Sequence, residues 1–231
     1  MDPKGQIRID FHTHTWASRD ARNRPRHFQK CGRVEGFAIT DHDSVAALKV
    51  IQQEVHGKLI IPGCEIRTPE VEILALFYEE DEIPRGTLAE ILDTLRSTDS
   101  LVAVPHPNRV HKDVDALMKK ADAIEAFNGH STRHQNVKAR EMAVNSGLSL
   151  IAGSDAHYPF QRGRFYGLVP YTEELEDIRK AILHHEVVVP EFRITRVYGL
   201  MTMIGNWFTR PTIKPAKIAS KTVETIGTPR R

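Results

Sequence analysis

Short apolar runs recur along this chain, separated by stretches with helical spacing. The runs at 7–11, 36–40, 59–61, 72–77, 101–104, 123–127 and 149–152 are mostly unbroken Val, Ile, Leu and Ala. Unbroken runs of that length suit strands covered on both faces. Between them, Leu88, Ile91, Leu92 and Leu95 keep the i, i+3, i+4, i+7 spacing of one buried helix face. Val45, Leu48 and Val55 predict a second helix with Ser44 as its N-cap. A third is expected over 134–146, with Gly147 at the C-terminal cap position, and a fourth over 173–185. Alternating strand and helix predict an α/β chain of parallel strands, closed as a barrel or open as a sheet.

The pattern changes at Arg193. From there Arg193, Arg196, Arg210, Lys214, Lys217, Lys221, Arg230 and Arg231 face a single acid, Glu224, around an apolar stretch at 197–208. The chain therefore divides into a domain over 1–192 and a basic tail over 193–231. The tail packs on the body or runs into solvent, with attachment to a membrane surface or to nucleic acid as the alternative. The net charge of +2 gives the whole chain no general bias toward nucleic acid. Cys31 and Cys64 are the only cysteines, which excludes a disulfide scaffold and fits a reducing, cytoplasmic setting. No signal-peptide pattern opens the chain, and no apolar run approaches the roughly 20 residues of a transmembrane helix.

The 12 histidines change the picture, because several end apolar runs. In Asp10-Phe11-His12-Thr13-His14, alternation puts Ile7, Ile9 and Phe11 on one strand face and Asp10, His12 and His14 on the other. Two imidazoles at i and i+2 can close on one metal ion, with Asp10 placed to orient a ligand. Thr40-Asp41-His42-Asp43 stands at a strand-to-helix turn, where acids also suit a helix start. Gly63-Cys64-Glu65 follows the run at 59–61 and offers a carboxylate able to bridge two cations. Pro105-His106-Pro107 mounts one imidazole between two fixed φ angles. Asn128-Gly129-His130 and Gly153-Ser154-Asp155-Ala156-His157 end two further runs. Several of these motifs alone have a structural explanation, such as a solvated loop Glu or a satisfied loop His, although helical packing offers none for Asp155 and His157. Together they put a His, Asp or Glu at five or six strand ends, and barrel active sites are built where those ends gather.

In this order, the motifs Asp10-Phe11-His12-Thr13-His14, Thr40-Asp41-His42, Pro62-Gly63-Cys64-Glu65, Pro105-His106-Pro107 and Gly153-Ser154-Asp155-Ala156-His157 resemble those of the PHP (polymerase and histidinol phosphatase) family over about residues 7 to 170. The stretch 65–86 is similar to the small stand-alone members, described as phosphoesterases. The resemblance implies a distorted (β/α)7 barrel holding two or three divalent ions (Zn, Mn or Fe). It implies that His12, His14, Glu65 and Asp155 hold one ion. Glu65, His106 and His130 would hold a second, and Asp20, His42 and His157 a third. Two departures bear on that set. Many relatives carry Asp directly after the Ser of the first motif, whereas here Arg19 intervenes before Asp20. Some carry a His shortly after the bridging Glu, whereas Val71-Glu72-Ile73 offers only a carboxylate.

The expected reaction is hydrolysis of a small phosphate ester or nucleotide-type substrate by a metal-bound hydroxide. His157 or His42 would protonate the leaving oxygen. Arg109, Arg133 and Arg164 follow the motifs closely enough to bind phosphate, although an Arg so placed is more often a surface residue than a substrate clamp. The same constellation could serve an amidohydrolase or cyclic-ester hydrolase, or a nuclease acting on nucleic-acid ends through the basic tail. A non-catalytic binding barrel is the remaining reading.

Overall fold

The protein is described from a computed structural model, which covers residues 5–109, 112–195 and 198–202. All seven apolar runs are strands: β1 (Gln6–Thr13), β2 (Gly36–Ile39), β3 (Leu59–Arg67), β4 (Glu72–Leu76), β5 (Leu101–Val104), β6 (Ala123–Asn128) and β7 (Ser149–Gly153). An eighth, β8 (Gly167–Pro170), is four residues long, too short to show a period of its own. The sheet runs β7-β6-β5-β4-β3-β2-β1-β8. Near the strand ends β1 and β7 meet as well, through His14 N–H to Ala156 O (3.1 Å) and Asp155 N–H to His12 O (2.8 Å). The result is a nearly closed α/β barrel.

The expectation of uniformly parallel strands is corrected at two places. β4 runs antiparallel to both β3 and β5, and β8 antiparallel to β1. Only residues 68–71 join β3 to β4, and Thr68 closes that turn by bonding Val71 through N–H and Oγ. A parallel crossover needs a dozen or more residues, so this connection can only be a hairpin. β3 also runs longer than its apolar run. Residues 59–62 pair with β2, and residues 63–67 pair with β4. The change of partner falls at Gly63, where a Cβ would lie 2.6 Å from Ala75 O. It carries Glu65 past the end of β2 to stand beside His42, inside a strand rather than in a loop.

Side chains from all eight strands form one buried cluster, the barrel interior, which Ile7, Ile9 and Phe11 enter as their alternation predicts. Helix α6 (Leu175–Leu183) packs into it through Ile178, Ala181 and Ile182. Helices α1 (Pro25–Gln29) and α2 (Leu48–Glu54) cover β2 with a second cluster. Helices α3 (Leu88–Ser97), α4 (Val114–Met118) and α5 (Arg133–Ser146) cover the other side. The helix α2 begins at Leu48, later than Ser44 predicts. Ser44 Oγ instead accepts from Ala46 N–H in a local turn that follows Asp43 at φ 48°. For α5 the expectation holds: Gly147 ends it at φ 68°, and Thr132 and Gln135 cap its start reciprocally. Most of the basic tail lies outside the described residues. The part that is described packs on the body, with the Tyr198 ring edge-on to Phe165 at 5.3 Å. Among the described residues no helix is long and apolar enough to cross a membrane.

Candidate metal centre

The seam between β1 and β7 creates the site. At Gly153 a Cβ would lie 2.3 Å from His12 Cβ and 2.9 Å from Glu125 Oε1, so only glycine permits the approach. Asp10 holds the seam from behind. Its carboxylate accepts from Ser154 N–H and Oγ–H, Gly163 N–H and His12 N–H. Those bonds run to backbone and hydroxyl, so Asp10 fixes the loop rather than an imidazole. Burial lifts its pKa to about 7 against these bonds.

Four buried ligand-type atoms converge in front of the seam. His12 Nε2 and His14 Nε2 lie 3.1 Å apart. Asp155 Oδ1 is 3.1 Å from His14 Nε2 and 3.7 Å from His12 Nε2. Glu65 Oε2 is 3.3 Å from His12 Nε2 and 3.4 Å from His14 Nε2. Ligands about 2.0–2.1 Å from a tetrahedral ion sit roughly 3.3–3.4 Å from one another, and these spacings match that edge.

The ring tautomers agree. His12 Nδ1 faces Glu125 Oε1 at 3.2 Å, and that carboxylate also accepts from His106 N–H and Asn128 Nδ2–H. His14 Nδ1 faces Ser18 Oγ at 3.1 Å, whose own proton goes to Asp41 Oδ1 at 2.6 Å. Asp41 is in turn held by Thr15 N–H and Oγ–H. Both Nδ1 atoms therefore carry protons, so in the neutral rings both Nε2 atoms present lone pairs to each other at 3.1 Å. That contact is repulsive unless a proton, as on a charged His12, or a metal ion lies between the two nitrogens. Glu65 Oε2, His42 Nδ1 and Asp20 Oδ1 are likewise buried without a hydrogen-bond partner, although His42 Nδ1 stands only 2.9 Å from Glu65 Oε2. That spacing is a close ion-type contact with poor hydrogen-bond alignment.

Other predicted residues gather around this core. Glu65 Oε1 lies 3.0 Å from His106 Nε2, which is 3.5 Å from Glu72 Oε2. Asp20 Oδ2 stands 3.8 Å from His42 Nε2 and 3.6 Å from His157 Nε2. His157 Nδ1 donates to Asp155 O at 2.9 Å, leaving Nε2 as its open atom. His106 at φ 27° and Asp155 at φ 52° are both held in the left-handed region. That backbone costs about 1–3 kcal/mol per residue and collects at functional sites. His130 reaches the rim, where a ring nitrogen of His130 and one of His157 come within 4.8 Å of an Asp155 oxygen and of each other. Its Nε2 meets Gln161 Nε2 at 2.8 Å.

The three arginines separate. Arg109 reaches the centre, with Nη1 2.8 Å from Asp155 Oδ2. Arg133 is exposed at the start of α5. Arg164 turns away, its Nε donating to Phe160 O and its guanidinium lying over the Tyr198 ring. It lines a separate cavity of about 330 Å³ with Arg8, Arg33 and Arg193. A cavity of about 310 Å³ beside the centre is lined instead by Arg67, Glu72 and Arg109. Glu125 and Arg67 were missed from the sequence. An acid inside the apolar run 123–127 was the available signal for Glu125. Nothing local singles out Arg67, whose Nε is held by Asp43 Oδ2 at 2.7 Å.

With protons as the only mobile charge, the cluster is electrostatically divided. Burial disfavours charge on every member. On Glu65 it is outweighed by His12 and His42, and on Asp155 by His12 and His130, so both carboxyls stay well below their usual range. His12 is held well above its usual value by Glu65, Glu125 and Asp155 despite burial, whereas burial together with His157 and His42 drives His14 well below. Adjacent imidazoles pushed in opposite directions mark a site where protons occupy a place suited to a multivalent cation.

A family profile described as PHP-associated matches residues 133–187, from α5 through the Asp155–His157 motif to beyond α6. That stretch of the chain is similar to the PHP-associated family. A protein of Acetivibrio thermocellus named "Probable phosphatase" is 29% identical over 213 residues, covering 73% of this chain and 87% of the relative. An uncharacterised protein of Methanocaldococcus jannaschii is 29% identical over 180 residues, 69% of each chain. Among solved structures, a two-domain Bacteroides vulgatus protein containing a predicted PHP-like metal-dependent phosphoesterase superposes with a TM-score of 0.69 at 18% identity, over 88% of this chain and 70% of that one. An amidohydrolase from Chromobacterium violaceum gives 0.55 at 16% identity, over 79% and 98%. At these identities the solved structures speak for the shared α/β barrel fold alone.

Proposed function

We propose that this chain is a PHP-type metal-dependent phosphoesterase acting on a small phosphorylated substrate. The observation that carries the reading is the convergence of His12 Nε2, His14 Nε2, Glu65 Oε2 and Asp155 Oδ1 at the spacing of a coordination shell. Glu65 Oε1 with His106 and Glu72 provides for a second ion, and Asp20, His42 and His157 for a third. The His and carboxylate donors suit Zn, Mn or Fe. Bound there, the ions would supply Lewis acidity toward a phosphoryl oxygen and toward water near neutral pH.

The chain's own groups do the rest. Arg109, anchored on Asp155 at the edge of the 310 Å³ cavity, takes phosphoryl oxygens, and its planar guanidinium fits two of them. Arg67 lines the same cavity and orients the ester's other end. Nε2 of His42 and of His157 would either hold a third ion or carry a proton, not both. With two ions bound, one of those imidazoles holds the proton passed to the leaving oxygen. The amidohydrolase reading has one support, the fold shared with the Chromobacterium violaceum protein. The Arg-lined cavity favours phosphate over an amide.

The test is a panel of phosphomonoesters, nucleotides, phosphodiesters and amides, run on protein loaded with Mn, Zn or Fe, with metal content measured on each sample. Phosphoester turnover that tracks metal content supports the reading. Amide turnover without phosphoester turnover refutes it.

A further inference from the structure

Gln161 is fully buried just beyond the Asp155–His157 motif, and its amide orientation is forced. Its Oε1 accepts from two backbone donors, His157 N–H and Tyr158 N–H, both at 2.8 Å. Turning the amide over would set its NH2 against those fixed donors and lose both bonds. The Nε2 group is therefore the donor end. One of its hydrogens goes to Thr202 Oγ1 at 3.1 Å, and the other to His130 Nε2 at 2.8 Å.

A ring nitrogen that receives a hydrogen bond offers its lone pair and bears no proton. In a neutral imidazole the proton is then on the other nitrogen. We infer that Gln161 fixes His130 as the Nδ1–H tautomer and so withholds it from metal, making His130 a hydrogen-bond donor at the rim of the centre. Both routes to ligation are closed. Coordination through Nε2 would put the ion where Gln161 Nε2 already sits. Coordination through Nδ1 would move the proton to Nε2, pointing it at the amide NH2. His130 thus departs from the ligand role its family resemblance implies, although a three-residue ligand group with Asp155 and His157 fits by distance alone. The inference builds on the metal-centre reading but concerns a hydrogen bond between two side chains that can be observed in metal-free protein. Thr202 extends the same chain of bonds into the C-terminal segment. Gln161 is therefore a positioning residue that ties that segment to the site.

The experiment compares wild type, His130→Ala, His106→Ala and Gln161→Glu. Metal content comes from elemental analysis, affinity from chelator competition with Zn, and the His130 tautomer from ring 15N shifts. His130→Ala is expected to keep the wild-type metal content, with affinity changed less than about threefold, while His106→Ala loses metal. In Gln161→Glu the new carboxylate oxygen accepts from Nε2–H and frees the Nδ1 lone pair. Zinc affinity should then rise about tenfold, the scale of ligand-orienting contacts, and adding His130→Ala should abolish the gain. Loss of a metal equivalent in folded His130→Ala, or an Nε2–H tautomer in the wild type, overturns the inference. A wild type that binds no metal but shows the Nδ1–H tautomer would remove the metal-centre reading and leave the Gln161 bond standing.

Discussion

Replacing Glu125 by Gln tests how the centre is held together. Glu125 is completely buried, and its carboxylate faces His12 Nδ1, not Nε2. Oε2 accepts from His106 N–H at 2.8 Å and Asn128 Nδ2–H at 2.9 Å, and Oε1 faces His12 Nδ1 at 3.2 Å. An amide of the same shape keeps one oxygen, which the two donors around Oε2 will claim. Its NH2 then points at His12 Nδ1 and can be accepted only if the imidazole proton moves to Nε2. That shift removes the lone pair facing His14 Nε2, Glu65 and Asp155. Loss of such an orienting contact costs 10–100-fold in metal affinity as a rule, equivalent to about 1.4–2.8 kcal/mol. Chelator competition on wild type and Glu125→Gln measures the change, and far-UV circular dichroism confirms that the barrel persists. Affinity within threefold of wild type in the folded variant would refute the tautomer argument.

Three further outcomes follow. Gly153→Ala drives a Cβ into His12 and Glu125, so thermal melting should show about 1–3 kcal/mol of destabilisation or more, with weaker metal binding; an unchanged melting temperature would contradict the seam. In chelator, burial lowers the His42 pKa but Glu65 and Asp20 raise it further, to about 9. Its contribution to stability is complete below its ordinary value of 6.5 and is lost as pH rises through about 9, so the melting temperature should fall over that window more in wild type than in His42→Gln. Cys64 is fully buried and burial pushes its thiol pKa far up, so Ellman's reagent should reach it only on unfolding; rapid labelling of the native protein would argue against the β3 register.

The seven strands were legible because each is a short apolar run with both faces covered, and apolar content records that directly. The direction of β4 was not, because it depends on the four-residue connection 68–71 rather than on any strand residue. Strand β8 carries too few residues to announce itself. Most of the site was legible for a different reason: imidazoles and carboxylates at strand ends stand out against apolar runs. What sequence could not give was which atoms point where. Asp10 and Glu125 are both acids beside the seam, yet only Glu125 meets an imidazole nitrogen. Arg109 and Arg164 each follow a His motif, yet only Arg109 turns inward, drawn by Asp155. The third case is Gln161, whose influence on His130 rests on two backbone donors that no motif displays.

The most direct test of the central claim is the metal content per chain, by elemental analysis, of wild type and His12→Ala purified without chelator or added metal. The account predicts two or more equivalents of Mn, Fe or Zn in the wild type and a clear reduction in the variant. Less than about half an equivalent in both, with no recovery on adding Mn or Zn, would contradict it.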